Sequence, residues 1–181
     1  MRNKKSIYFI GDSLIERGKW QKLLPSLFCS NYGVAGDTLE GLIKRIDTLP
    51  EDNPDYVILQ IGINDIIAEA SQTEILYNYE EVISKLKKRY SNSKIVVQTL
   101  LPAEESEFSF IKSINKSIKK CNSDVVKAQK EEGCLVLDIY PHFFDKRRKE
   151  MIEEYSIDGL HLSKSGYVLW AKVVKEFVGR Y

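Results

Sequence analysis

The chain has 181 residues, a length typical of one domain with a sizeable hydrophobic core. Its 27 basic and 26 acidic side chains nearly cancel, so no net field draws the protein to nucleic acid or to an anionic membrane. No apolar run approaches the roughly 20 residues of a membrane span, and the apolar stretch 7–10 is too short for a secretion signal, so we expect one cytoplasmic domain over residues 1–181.

Five short runs rich in β-branched and apolar residues recur along the chain, and each predicts a β-strand. Most of these runs are continuously apolar rather than alternating, which is typical of strands buried on both faces of a parallel sheet. In chain order the predicted strands cover residues 6–10, 28–32, 56–61, 94–99 and 134–138.

Amphipathic patterns between and after the later strands predict three long helices. The sequence Ser71-Gln-Thr-Glu74 is a capping box, and apolar residues follow it at helical spacing. A second pattern starts near Ile111 and ends near Gly133, and a third begins after Ser163. This alternation of strands and helices predicts an α/β sandwich with right-handed crossovers.

Four segments of unusual composition follow predicted strands or precede the last helix. They read GDS at 11–13, NYGVAGDT at 31–38, IGIND at 61–65 and DGLHL at 158–162. Each alone has a structural explanation, such as a turn, a glycine at positive φ or a helix cap. In open α/β sheets, however, ligands bind beyond the carboxyl ends of the strands, so we expect these segments to converge.

Together the four segments contain the groups that a serine acyl-transfer site needs. Ser13 is the candidate nucleophile and His161 its candidate base. Asp158 lies three residues upstream of His161, close enough for its carboxylate to fix the tautomer of the imidazole. The N–H groups of Ser13 and Gly36 and the side-chain amide of Asn64 are candidate donors to the oxyanion.

These residues give the chain a resemblance to the SGNH hydrolases, also called GDSL esterases and lipases. Ser13 in GDSL matches the first block of that family, and Gly36 in NYGVAGDT matches the second. Asn64 in GIND matches the third block, and Asp158 with His161 in DGLHL matches the last. The blocks occur in order over nearly the whole chain. The resemblance implies a flavodoxin-like, three-layer α/β/α sandwich with a five-stranded parallel sheet, a Ser-Asp-His triad, and no metal or organic cofactor.

The resemblance also predicts a serine esterase that cleaves a carboxylic ester through an acyl-enzyme. No long insertion offers an apolar lid, which favours a short acyl group or a sugar O-acetyl group over a long lipid chain. Lysophospholipase, thioesterase and acyltransferase activities would use the same triad and remain open. A remote alternative is a non-catalytic module that binds an anion at residues 11–13 and needs neither Asn64 nor His161. The expected partner is a small-molecule ester; the oligomeric state stays open.

Several polar residues near these segments have structural interpretations. Asp12 and Asp65 are interpreted as supporting hydrogen-bond acceptors that brace the loops. Arg17 is assigned to a solvated helix face, and the second histidine, His142, to a packed or surface position. The glutamates within residues 104–107 either face the substrate or complement the amino end of the next helix, and we favour the helix.

Overall fold

Five parallel strands form the central sheet in the computed structural model, which describes residues 4–181. All five predicted strands are present, and no end differs from the prediction by more than one residue. The last strand is shorter at both ends, because only three of its residues pair with the neighbouring strand. In chain order the strands are β1 (Ser6–Gly11), β2 (Phe28–Gly33), β3 (Tyr56–Gln60), β4 (Lys94–Gln98) and β5 (Leu135–Leu137).

The order of the strands in space is β2-β1-β3-β4-β5. The chain therefore steps in one direction from β1 to β2 and in the opposite direction from β3 onwards. Because crossovers between parallel strands are right-handed, this reversal places helices on both faces of the sheet. The reversal also opens a crevice beyond the carboxyl ends of β1 and β3, where open α/β sheets bind their ligands.

The helices of residues 4–181 include three long ones and several of four to seven residues. They are α1 (Ser13–Glu16), α2 (Trp20–Leu23), α3 (Leu39–Arg45), α4 (Ile63–Ile67), α5 (Gln72–Arg89), α6 (Ile114–Glu131), α7 (Tyr140–Phe143) and α8 (Lys164–Arg180). A short antiparallel pair, β6 (Phe144–Asp145) and β7 (Glu150–Met151), lies between α7 and α8.

The three predicted long helices are α5, α6 and α8. Ser71 caps α5 by accepting a hydrogen bond of 3.2 Å from the N–H of Glu74, and Ser163 caps α8 in the same way. The helix predicted from Ile111 begins later, at Ile114, because Ser113 has a left-handed backbone with φ of +58° and interrupts the helical path.

The helices pack in two layers around the sheet, so the fold is a three-layer α/β/α sandwich as predicted. Helix α5 contacts α3 and α6, while α2 contacts α8. Trp20 of α2 stacks on Phe9 of β1 at 4.2 Å between ring centroids and meets Trp170 of α8 edge-on at 5.0 Å. None of the helices in the described part of the chain combines the length and the apolar composition that crossing a membrane requires.

Candidate active site

Ser13 is the first residue of α1, immediately beyond the carboxyl end of β1. Asp12 precedes it in an extended conformation, and its Oδ1 accepts a hydrogen bond of 2.9 Å from the N–H of Leu14. This cap starts the helix and turns the serine towards the crevice. N–H groups in the first helical turn have no partner within the helix, and that of Ser13 finds no protein acceptor among the described residues.

Asp158 and His161 lie on one tight loop just before α8. Asp158 Oδ1 accepts hydrogen bonds from the N–H groups of Leu160 and His161, at 3.1 and 2.7 Å. Its other oxygen, Oδ2, lies 2.7 Å from His161 Nδ1. Gly159 makes the loop possible, because its φ is +82° and a Cβ there would come within 2.6 Å of Glu107 Cγ.

The same loop brings His161 to Ser13 across 148 positions of sequence. His161 Nε2 lies 3.0 Å from Ser13 Oγ. Since Nδ1 faces a carboxylate, the hydrogen of the neutral ring belongs on Nδ1, and Nε2 accepts the hydrogen bond from the serine hydroxyl. Ser13 is 7% exposed and the His161 side chain 17%, so water has little access to this hydrogen bond.

The electrostatics of Asp158 favour its charged form. Burial alone would raise its pKa, but hydrogen bonds from the N–H and ring of His161 and from the N–H of Leu160 outweigh that effect. The pKa of Asp158 is therefore held below its ordinary value. The carboxylate stays ionised at neutral pH, where it can stabilise a positively charged imidazole.

The candidate oxyanion donors follow β1, β2 and β3, at the same edge of the sheet. Gly36 is exposed, with a left-handed φ of +75°, and its N–H has no hydrogen-bond acceptor among the described residues. Asn64 Nδ2 donates a hydrogen bond of 2.8 Å to the carbonyl of Asp37, the residue after Gly36. Because a carbonyl oxygen can only accept a hydrogen bond, the amide atom that faces it is the nitrogen. Within the described residues, Nδ2 makes no second hydrogen bond, and one of its hydrogens remains for a ligand.

The two predicted supporting carboxyl groups contact backbone near this edge. Both oxygens of Asp65 accept from the N–H of Leu39, at 3.3 and 3.2 Å, which ties α4 to the start of α3. Burial raises the pKa of Asp65. Asp12 is fully buried, and its Oδ2 has no partner among the described residues. Burial, with smaller contributions from Asp37 and Asp65, raises the pKa of Asp12 to about 7.

The raised pKa of Asp12 predicts a pH-dependent effect of Asp12→Asn on stability. In the unfolded chain an aspartate titrates near ~3.9. Between that pH and about 7 the folded protein keeps a proton that the unfolded chain has released, so this group lowers the free energy of unfolding as pH rises. Asparagine keeps the Oδ1 acceptor and cannot titrate. As the pH rises from ~4 to ~8, we expect the free energy of unfolding of Asp12→Asn to increase by roughly 2–4 kcal/mol relative to that of the wild type.

Urea unfolding of both proteins across that pH range measures this difference. Any constant penalty from the new amide hydrogens shifts the whole curve without changing its slope. Asp47→Asn, on an exposed side chain, is the matched control and should follow the wild type. Parallel stability curves for Asp12→Asn and wild type would show that Asp12 is ionised in the folded protein.

Comparison with known proteins shows the family to which the chain belongs. The model of the GDSL-like lipase/acylhydrolase family matches residues 9–169. The chain belongs to this family. Among its relatives, platelet-activating factor acetylhydrolase IB subunit alpha2 of Rattus norvegicus is 24% identical over 178 residues, which cover 95% of this chain and 75% of the rat protein.

Solved structures show the same likeness. A protein from Streptococcus pneumoniae, described as a candidate platelet activating factor, is 28% identical and superimposes with a TM-score of 0.87 over 97% of this chain and 84% of its own. The acetyl xylan esterase AlAXEase shares the fold with a TM-score of 0.79 and 20% identity, over 96% of this chain and 99% of its own. The chain therefore shares its fold with these proteins over nearly its whole length, in keeping with its place in the GDSL-like lipase/acylhydrolase family.

In this GDSL-family chain, the glutamates within residues 104–107 lie in two different environments. Glu105 Oε1 accepts a hydrogen bond of 3.0 Å from the N–H of Asn115, so the helix interpretation is confirmed for this residue. Glu104 and Glu107 instead pack beside Gly159, and the N–H of Glu104 donates to the Gly159 carbonyl at 2.8 Å. Both glutamates therefore lie beside the loop that carries Asp158 and His161.

Two residues near the site were missed by sequence analysis. Asp37 lies within the quoted segment NYGVAGDT, so its position in a functional block was the available signal. Arg45, at the end of α3, has no local signature, yet its Nε and Nη2 both lie 2.8 Å from Asp37 Oδ2. Arg17 and His142 are exposed, as the sequence predicted.

Proposed function

We propose that the protein is a serine esterase that hydrolyses a carboxylic ester through an acyl-enzyme. In this proposal Ser13 is the nucleophile, His161 the general base and acid, and Asp158 the group that orients and stabilises the imidazole. One observation carries the assignment: His161 Nε2 lies 3.0 Å from Ser13 Oγ while Nδ1 lies 2.7 Å from Asp158 Oδ2. That arrangement is the hydrogen-bonded relay that activates a serine hydroxyl.

The first half of the reaction forms the acyl-enzyme. Ser13 Oγ attacks the carbonyl carbon of the ester as its proton moves to His161 Nε2. The carbonyl oxygen becomes an oxyanion, which accepts hydrogen bonds from the N–H groups of Ser13 and Gly36 and from Asn64 Nδ2. When the tetrahedral intermediate collapses, His161 donates the proton to the departing alkoxide and an alcohol leaves.

The second half releases the acid. A water molecule transfers a proton to His161 Nε2 and attacks the acyl carbon, and the oxyanion forms again beside the same donors. Collapse of this intermediate breaks the bond to Ser13 Oγ, which takes the proton back from His161. Asp158 remains ionised throughout and stabilises the imidazolium that exists between the two proton transfers.

For the substrate we propose a short acyl group, with a sugar O-acetyl ester as the favoured example. The GDSL family supports acylhydrolase activity as such, and the rat relative is by name an acetylhydrolase. The glutamates beside Gly159 support a neutral rather than an anionic acyl group. We treat residues 1–181 as one catalytic domain, since the proposed triad takes its members from both ends of the chain.

Asn64→Ala tests the proposed oxyanion donor. The change removes one of three donors from the developing oxyanion, and we expect kcat to fall about 100- to 1,000-fold, with a smaller change in KM. Steady-state kinetics with p-nitrophenyl acetate measure the loss. The control is Asn122→Ala, which removes an amide that binds the backbone of Leu100 rather than the crevice. Near wild-type kcat in Asn64→Ala would remove this residue from the proposed hole.

A series of p-nitrophenyl esters of increasing acyl length, with wild type and Ser13→Ala, tests the proposal as a whole. An esterase releases p-nitrophenol with the wild type and not with the variant, and the length profile identifies the preferred acyl group. An acyltransferase also forms a new ester when an alcohol acceptor is added, and product analysis detects it. Absence of turnover in both proteins would favour the anion-binding module and overturn the proposal.

A further inference from the structure

Arg45 links two of the segments that supply the candidate oxyanion donors. Its guanidinium contacts Asp37 Oδ2 through Nε and Nη2, both at 2.8 Å, and Nη2 also donates to the carbonyl of Gly11 at 3.2 Å. The Arg45 and Asp37 side chains are only 20% and 7% exposed, so the pair is largely shielded from water. Shielded charge pairs of this kind are screened less by salt than surface pairs.

Both acceptors of Arg45 are neighbours of groups that the proposed reaction uses. Gly11 ends β1 two residues before Ser13, and its carbonyl also accepts from the N–H of Val34, at 2.9 Å. Asp37 directly follows Gly36 and offers its own carbonyl to Asn64 Nδ2. The nucleophile segment, the Gly36 segment and the Asn64 amide are therefore joined through one guanidinium and one aspartate.

We infer that Arg45 is a positioning residue that fixes the Gly36 N–H and the Asn64 amide relative to Ser13. This inference rests on the proposed esterase function. Arg45 itself contacts neither Ser13 nor His161 among the described hydrogen bonds, so it acts through Asp37 and Gly11. Its role is to set the separation between the nucleophile and the donors, and a displacement of about 1 Å in such an arrangement can reduce a rate about 100-fold.

An arginine suits this role because its planar guanidinium presents several N–H donors in fixed directions and stays charged at any working pH. A lysine keeps a positive charge near Asp37, but its single ammonium group cannot hold Asp37 and the Gly11 carbonyl in the same geometry. A neutral residue loses both contacts and leaves the buried Asp37 carboxylate without its cation.

The experiment compares Arg45→Lys and Arg45→Met with the wild type on p-nitrophenyl acetate. We expect kcat to fall about 3- to 10-fold in Arg45→Lys and about 30- to 100-fold in Arg45→Met, with KM within about two-fold of wild type, since the donors act mainly on the transition state. Arg45→Lys retains the ion pair and carries the test by itself if Arg45→Met does not fold.

The chain offers a matched control in Arg89. Its guanidinium, like that of Arg45, joins separate parts of the backbone, because it binds the carbonyls of Leu49 and Pro50 in the loop before β3, at the opposite edge of the sheet. Arg89→Lys and Arg89→Met should lower the thermal midpoint of unfolding to a similar extent and leave kcat close to wild type. If kcat falls in proportion to thermal stability in the Arg45 variants and in the Arg89 variants alike, the role of Arg45 is purely structural.

A double variant separates positioning from general damage. If Arg45 acts through the donors, Arg45→Met should reduce kcat by a smaller factor in an Asn64→Ala background than in the wild type, because one of the two donors that it positions is already gone. Losses that multiply in full would overturn the inference. Wild-type protein without Ser13-dependent turnover would overturn the proposed function and the inference with it, whereas normal kcat in both Arg45 variants would overturn the inference alone.

Discussion

Ser13→Ala is expected to lower kcat for p-nitrophenyl acetate by about 10⁴- to 10⁶-fold, because the variant has no oxygen that can form the acyl-enzyme. The remaining rate should exceed that of water alone, since Gly36, Asn64 and the N–H of residue 13 still stabilise an oxyanion formed by direct attack of water. The fold should be unaffected, because the Ser13 hydroxyl contacts only His161 among the described side chains.

Two further measurements make the Ser13→Ala result specific. Mass spectrometry of wild type quenched during turnover should detect a protein carrying one extra acyl group, which is absent from the variant. Ser84→Ala is the control, since Ser84 lies exposed on α5 and belongs to none of the candidate site segments. Full activity in Ser13→Ala would remove the serine from the reaction whatever the other variants do.

His161→Ala is expected to reduce kcat by a similar factor, about 10⁴- to 10⁶-fold, because the serine proton then has no acceptor within reach. The two groups act as one unit, so the double variant Ser13→Ala/His161→Ala should be hardly slower than either single variant. Steady-state kinetics on the three proteins measure this lack of additivity directly.

His142 supplies the control for the histidine experiment. It is the only other histidine in the chain, and its exposed ring follows Pro141 on α7. His142→Ala should keep wild-type kcat, because its exposed ring is not part of the proposed triad. Loss of activity in His142→Ala together with retained activity in His161→Ala would reverse the assignment of the base.

The strands could be predicted closely because a strand that is buried on both faces has an almost continuously apolar sequence. Runs such as Tyr56–Gln60 are fully buried and almost entirely apolar, so pattern and structure coincide. The start of α6 could not be predicted, since it depends on the left-handed backbone of Ser113 and on the carboxylate of Glu105, which approaches from a separate loop. Neither feature changes the apolar spacing that signals a helix.

The sequence likewise identifies some residues of the candidate site and not others. Ser13, Asp158 and His161 could be singled out because the chemistry demands those residue types, and Asp158 and His161 are close in sequence. Asp37 and Arg45 could not, because their most informative contacts involve backbone carbonyls. Every residue has a carbonyl, so no sequence pattern tells which one an arginine or an asparagine amide will meet.

The site is assembled from opposite ends of the chain. Ser13 and the candidate donors Gly36 and Asn64 come from the N-terminal half of the chain, while the imidazole of His161 and the carboxylate of Asp158 lie together just before α8. That helix is held by a hydrogen bond of 2.8 Å from the hydroxyl of Tyr167 to the carbonyl of Leu14. If the proposed triad is correct, a molecule whose final helix has detached keeps its nucleophile and loses its base in one event, so esterase activity would also report that folding is complete.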